Sequence, residues 1–356
     1  MATTVGGLAA PAPIDWTATP TGPENAVLYT TEKAGNSLWS VGINLEPGPE
    51  GTLAFHPLAL RWNGKAWQQT KQPVPDGRLD DVLAKSANDV WAVGATENGA
   101  ETEPVLQHWN GKAWKLLDTP TGAPEESTQF TAIAKQGNGL LVGRYGDQSS
   151  VLRYVGGKWT ELPREGLQHV VYLDDLAVVN DKEIWAAGIG GVARFDGTRW
   201  TKVELPVKVP EGRSLEVAQL VVKSANDIWA VGMKNDTDLW RRPLALHFDG
   251  KVWTELAAPA VTGQFHDLEF LDGKAVAVGG NPNTGKPLVT ELVGKEFVQT
   301  TPPAGAGYLH GSTQVGKCLW TVGVAAETTP DGFEKPFVAV GKHRADAGHG
   351  SLPAAC

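Results

Sequence analysis

The sequence is poor in sulfur, with two cysteines and two methionines in 356 residues. Two cysteines exclude a disulfide-rich scaffold and any four-cysteine zinc site. A basic surplus is also missing. Lys and Arg number 31 against 40 Asp and Glu, for a net charge of −9, and no Lys/Arg run offsets it. Electrostatics therefore disfavour a nucleic-acid partner. No apolar run approaches the roughly 18 residues of a spanning helix, so no membrane span is expected. Residues 1–13 have neither a basic n-region nor an apolar h-region and do not form an intact signal peptide. Such a start suits either a mature exported chain or a cytoplasmic one. Apolar residues make up 41% and charged residues 20%, enough for a large core and too apolar for disorder.

What the chain does have is glycine, proline and fourteen tryptophans, and they recur in a pattern. Trp-x-Val-Gly reads SLWSVG at Ser37–Gly42, DVWAVG at Asp89–Gly94 and DIWAVG at Asp227–Gly232, with looser copies ending at Gly143, Gly188, Gly279 and Gly323. A period of 44 to 52 residues between these glycines is the pitch of a four-stranded propeller blade. A second phrase follows each of the first six copies: RWNGKAW, HWNGKAW, RYVGGKW, RFDGTRW, HFDGKVW and ELVGKEF. Asn-Gly or Asp-Gly between apolar runs signals a hairpin, with a type I′ turn the expected geometry. Each unit therefore reads as strands A, B, C and D. The seventh lacks its D aromatic, and IDWTATPTG at Ile14–Gly22 matches AWKLLDTPTG at Ala113–Gly122. Trp16 is thus expected to supply the last blade's outer strand and close the ring, which removes exposed sheet edges.

The pattern resembles bacterial seven-bladed β-propellers, the broad group of kelch-like, galactose-oxidase-like and WD40-like repeats. The resemblance implies an all-β fold of seven four-stranded antiparallel blades, one domain with its blade core at residues 14–344 and a tail at 345–356. It implies no particular function, because propellers host binding, scaffold and enzyme roles alike. Thirteen tryptophans fall on strand positions and are expected to pack between blades. Trp240 alone is off-pattern, in a B–C loop, as a ligand platform or a loop anchor.

The A–B and C–D turns are short, whereas B–C and D–A segments such as Asn44–Pro57, Ala95–Pro104 and Val324–Pro336 are long and variable. Sites favour variable loops on rigid scaffolds, so the long-loop face and its channel mouth are the expected site. Aligning the blades puts Leu28, Asp80, Thr131, Asp174, Ala218, His266 and His310 at one level of strand A. The next level holds Tyr29, Asp81, Ala132, Asp175, Gln219, Asp267 and Gly311. Three readings compete: a solvated polar mouth, a site for one organic ligand, or a divalent metal held by His266 and His310 with Asp80 and Asp174. His266, His310, Asp80 and Asp174 are the candidate catalytic residues. Asp81, His169, Tyr172, Asp175, Trp240, Asp267 and Tyr308 are the candidate ligand-binding residues.

The polar residues are irregular from blade to blade, which points to one asymmetric site rather than seven equal ones. The leading expectation is a secreted or cell-envelope, ligand-binding propeller taking a small molecule or saccharide. The alternatives are an enzyme of lyase, isomerase or cyclase type at the same mouth, and a protein-interaction scaffold. A monomer is favoured. GNPNTGK at Gly280–Lys286 mimics a P-loop, but Pro287 replaces the Ser/Thr and no helix follows. Cys318 and the tail are expected on the same face, so a Cys318–Cys356 disulfide is predicted, which would imply an oxidising compartment. Two free thiols, and a cytoplasmic chain, are the alternative.

Overall fold

A computed structural model describes residues 10–48, 52–98, 101–120, 127–236 and 241–344. Its 28 strands build seven four-stranded antiparallel blades, a β-propeller. The innermost A strands are Ala26–Ala34, Arg78–Ser86, Gln129–Gln136, Tyr172–Asn180, Leu215–Ser224, Gln264–Leu271 and Ala306–Val315, defining blades 1 to 7. Ile14–Ala18 pairs with Ala339–His343 and completes blade 7 from the other end of the chain. The Trp16 ring lies where a Cβ on Gly341 would be, so this outer strand packs as the sequence implies. Blades 4 and 5 are also joined directly, by a bridge between Ile189 and Glu216. No helix among the described residues is long and apolar enough to cross a membrane.

Tryptophans hold the blades together. Trp39 of blade 1 packs on Trp109 and Trp114 of blade 2, and Trp320 of blade 7 packs on Trp62 and Trp67 of blade 1. In blades 2 and 5 the indole N–H of Trp91 or Trp229 donates to Asp89 or Asp227, and His108 or His247 lies against the indole. Each of these histidines also bonds the same aspartate, at 2.8 and 2.9 Å. Core clusters accordingly join residues of neighbouring blades, and burying aromatic surface across those junctions is the main cohesion of the ring.

Two local expectations are corrected. The Asn-Gly and Asp-Gly hairpins form, but not as type I′ turns. Gly64, Gly111, Gly197 and Gly250 have positive φ, whereas Asn63, Asn110, Asp196 and Asp249 do not. Each Asn or Asp side chain instead accepts the N–H groups two and three residues on, as Asn63 does from Lys65 and Ala66, and a four-residue loop results. The B–C segments of blades 1, 2 and 7 are extended hairpins rather than loops, paired as far as Pro47–Leu53, Asn98–Glu101 and Thr328–Glu334. Alternating apolar residues drive this, and Leu45, Phe55, Val324 and Phe333 join Tyr308 in an apolar cluster above blades 7 and 1.

Every A strand carries a β-bulge at the same place. The bulged residues are Tyr29, Asp80, Thr131, Asp174, Ala218, His266 and His310. A bulge re-aims its side chain out of the ladder. It also explains the glycine that ends Trp-x-Val-Gly. A Cβ on Gly42, Gly94, Gly188, Gly232, Gly279 or Gly323 would stand 1.8–2.2 Å from the carbonyl oxygen of the residue two before the bulge. In these six blades the bulge and the glycine are therefore a single structural requirement, whereas at Gly143 of blade 3 a Cβ would meet the Leu173 side chain instead.

Candidate functional site

The seven bulges face one another around the axis. With the residues beside them they line a cavity of about 280 Å³ that draws on strand A of all seven blades. In blade 1 the bulged residue is Tyr29, not Leu28, which is fully buried. Blades 2, 4 and 5 carry a second bulge near the A–B turn, and blade 1 does not, so the count along the strand differs by one.

The level below is structural. Asp81 accepts the N–H of Val82 at 2.7 Å and that of Ile133 in blade 3 at 2.9 Å. Asp175 accepts those of Leu176 and of Leu220 in blade 5, both at 2.7 Å. Asp267 accepts those of Leu268 and of Ser312 in blade 7, and Gln219 of blade 5 accepts that of Leu268 in blade 6 at 2.6 Å. Each carboxylate thus straps its blade to the next through a bulged backbone. Asp81, Asp175 and Asp267, expected as ligand-binding residues, do line the cavity, and each oxygen of each already accepts one backbone N–H. Burial still outweighs these bonds and pushes Asp175 up to about 7 and Asp267 up to about 6.

The bulge level is polar on one side and aromatic on the other. On the aromatic wall the rings of Tyr29, His310 and His266 follow one another at 5.8 and 5.2 Å, with Tyr308 packed on both histidines. Burial depresses His266 to about 4 and His310 to about 3, so both rings are neutral at pH 7. Arg241 Nη1 donates to Gln264 Oε1 at 2.6 Å, which orients the amide so that Gln264 Nε2 donates to His266 Nε2 at 2.7 Å. His266 is thereby set as the Nδ1–H tautomer.

On the polar wall Asp80 is held by Arg78 at 2.9 Å, and Arg78 also reaches Glu97 and Gln129. Burial nevertheless raises Asp80 to about 6. Gln129 in turn donates to the Tyr172 hydroxyl at 3.0 Å, and Tyr145 packs on Tyr172. Asp174 differs from Asp80. Its Oδ2 is buried and makes no hydrogen bond among the described residues. Burial, with Glu216 and then Asp175 nearby, pushes its carboxyl well above the ordinary range. Burial raises Glu216 too, against the attraction of Arg241.

The structure therefore brings Asp80, Asp174, Tyr172, His266 and His310 together around the cavity, with Tyr308 behind the histidines. His169 is not among them. Leu167 and Val170 are anchored in the core between blades 3 and 4, and the His169 ring turns outward to the Val192 carbonyl at 3.0 Å. Trp240 lies outside the described residues. Among the described residues no three His, Cys, Asp or Glu side chains are placed to share a metal ion, so the four-residue ligand set does not assemble. Cys318 is buried at the start of strand B in blade 7, and its predicted partner Cys356 lies outside the described residues. Sequence reasoning missed Gln129 and Gln264. Their signal was position: with Arg78, Tyr172, Glu216 and Tyr308 they stand two residues before a bulge and form an upper ring.

No family model and no curated protein sequence matches the chain. Solved structures do. One titled YCF48 bound to D1 peptide is 15% identical with a TM-score of 0.60, over 94% of this chain and 98% of that one. YCF48 from Cyanidioschyzon merolae is 14% identical, also at 0.60, over 93% and 99%. A GH74 xyloglucanase from Xanthomonas campestris is 12% identical at 0.59, over 91% of this chain and 55% of that one. At such identities the likeness is one of fold, and the fold it shows is the β-propeller.

Proposed function

We propose that this chain is a ligand-binding propeller with a single asymmetric site at the channel mouth, taking a small molecule or saccharide. One observation carries the reading. The axial cavity is lined by side chains that vary irregularly from blade to blade, with Tyr29, Asp80, Thr131, Asp174, Ala218, His266 and His310 at the bulge level, while the packing aromatics and turn glycines outside it repeat. A multivalent lectin would repeat its polar residues instead. The unpartnered Asp174 oxygen supports the same reading, since a buried acceptor left without a donor costs about 1–3 kcal/mol and marks a place where a ligand can supply one. The chain is read as one domain over residues 1–356 with its blade core at 14–344, monomeric and exported, with Cys318 and Cys356 paired. The xyloglucanase acts on a saccharide and YCF48 is seen with a peptide, so propellers of this shape accommodate both partner types.

The test is a thermal-shift screen of a broad metabolite and oligosaccharide panel, followed by titration calorimetry of any hit. Binding at one site per chain, weakened at least tenfold in His266→Ala or Asp174→Asn, is the expected result. Hits whose affinity is indifferent to both substitutions would remove the mouth as the site.

A further inference from the structure

Around the bulge level one blade contributes almost nothing. Blade 5 places Ala218 where its neighbours place Asp174 and His266. A methyl group there leaves a niche beside Asp174. Glu216, two residues earlier on the same strand, lines the same cavity. The B–C connection of blade 4 next to it is a single residue, Gly190. A side chain at Gly190 would strike the His169 carbonyl, with its Cβ 1.9 Å away.

The charges around this niche do not balance. Asp80 is paired with Arg78, which it shares with Glu97. Arg241 donates to Gln264 and is the cation that acts on Glu216. Asp174 keeps a buried oxygen with no donor among the described residues. The histidines of blades 6 and 7 are neutral at pH 7. Asp174 is thus an acid group with an unpartnered oxygen and no cationic partner among the described residues, inside a polar cavity bordered by Tyr172 and His266. A neutral hydroxyl offers such an oxygen one ordinary hydrogen bond. A cationic donor offers a charge-assisted bond about twice as strong and also cancels the charge.

We propose that the niche between Asp174, Glu216 and Ala218 receives a protonated primary amine of the ligand. This deepens the reading of the mouth as a binding site and depends on it. The amine could belong to a free amino sugar or to a lysine side chain, and the experiment separates the two.

Four probes are titrated by calorimetry at pH 7.5: D-glucosamine against D-glucose, and an N-acetylated, C-amidated Gly-Lys-Gly peptide against its norleucine counterpart. The expected result is that one amine binds at least tenfold tighter than its neutral counterpart. That preference should vanish in Asp174→Asn, and Ala218→Leu should abolish binding by filling the niche. Asp174→Asn replaces a buried acid whose charged form burial already disfavours and should fold at least as stably as the native chain, which circular dichroism verifies. Equal binding of amine and neutral probe, or a preference that survives Asp174→Asn, overturns the amine assignment. If Ala218→Leu still blocks binding in that case, the mouth stands as the site. Failure of all four probes also overturns the assignment. The mouth itself falls only if the broad panel likewise yields no ligand.

Discussion

Asp175 allows the inter-blade straps to be tested quantitatively. It is buried between blades 4 and 5 with both oxygens on backbone N–H groups, yet burial lifts its carboxyl from 3.8 to about 7. The folded chain therefore holds a proton that the unfolded chain releases above pH 4. The stability linked to that proton is fully present below pH 4 and is lost as pH rises through 7, at up to about 1.4 kcal/mol per pH unit. Between pH 5 and pH 8 this amounts to about 2–3 kcal/mol for the native chain. Asn at this position resembles the protonated acid, with one acceptor oxygen and no charge, as Gln219 does naturally in the next blade. Asp175→Asn should exceed the native chain by about 1–2 kcal/mol at pH 5 and by about 4 kcal/mol at pH 8. Asp175→Ala leaves the N–H groups of Leu176 and Leu220 without acceptors and should lose about 2–5 kcal/mol at pH 5. Urea unfolding followed by tryptophan fluorescence at the two pH values measures all three, and the remaining titrating groups cancel to first order. An Asn variant less stable than the native chain at pH 8 would refute the reasoning, because the two backbone bonds would then outweigh the burial of the charge.

Gly232→Ala would place a Cβ 2.0 Å from the Glu216 carbonyl oxygen and should cost about 1–3 kcal/mol as overpacking, measured by the same unfolding curves. A Gly250→Ala control, at a φ of 90°, should also lose stability but leave the mouth unchanged, since its turn is far from the bulge. Removing residues 1–18 takes away the outer strand of blade 7 and should yield concentration-dependent oligomers by size-exclusion chromatography, whereas a truncated chain that stays monodisperse and equally stable would deny Ile14–Ala18 its closing role. Protein purified under air and unfolded in denaturant should expose no thiol to a colorimetric reagent, and two reactive thiols would rule out the Cys318–Cys356 pair.

Much of the fold was legible because a propeller repeats itself. The Trp-x-Val-Gly spacing located all seven blades, and the likeness of Ile14–Gly22 to Ala113–Gly122 located the closing strand. The bulge level was legible for the same reason in every blade except the first, where the absent second bulge shifts the count from Leu28 to Tyr29. The straps were not legible. Asp81, Asp175 and Asp267 look like site carboxylates in sequence, and only the register shows their oxygens facing the N–H groups of the following blade. His169 failed for a related reason, since anchoring by Leu167 and Val170 decides where its ring points. The roles of Gln264 and Arg241 depend on side chains from a strand and a loop that meet only in three dimensions.

The clash that requires glycine in Trp-x-Val-Gly is with a main-chain oxygen, and it occurs alike behind Val27, Arg78, Tyr172, Glu216, Gln264 and Tyr308. The backbone at the mouth is therefore indifferent to which side chain it carries there. Hydrophobic, cationic, anionic, amide and phenolic groups already occupy equivalent positions in this one molecule. The upper ring and the bulge level together behave as a set of addresses whose contents can be rewritten one at a time while the frame stays constant. A designer, or natural selection, can change the chemistry lining this mouth by substitutions at those addresses without revisiting the packing of the tryptophans outside it.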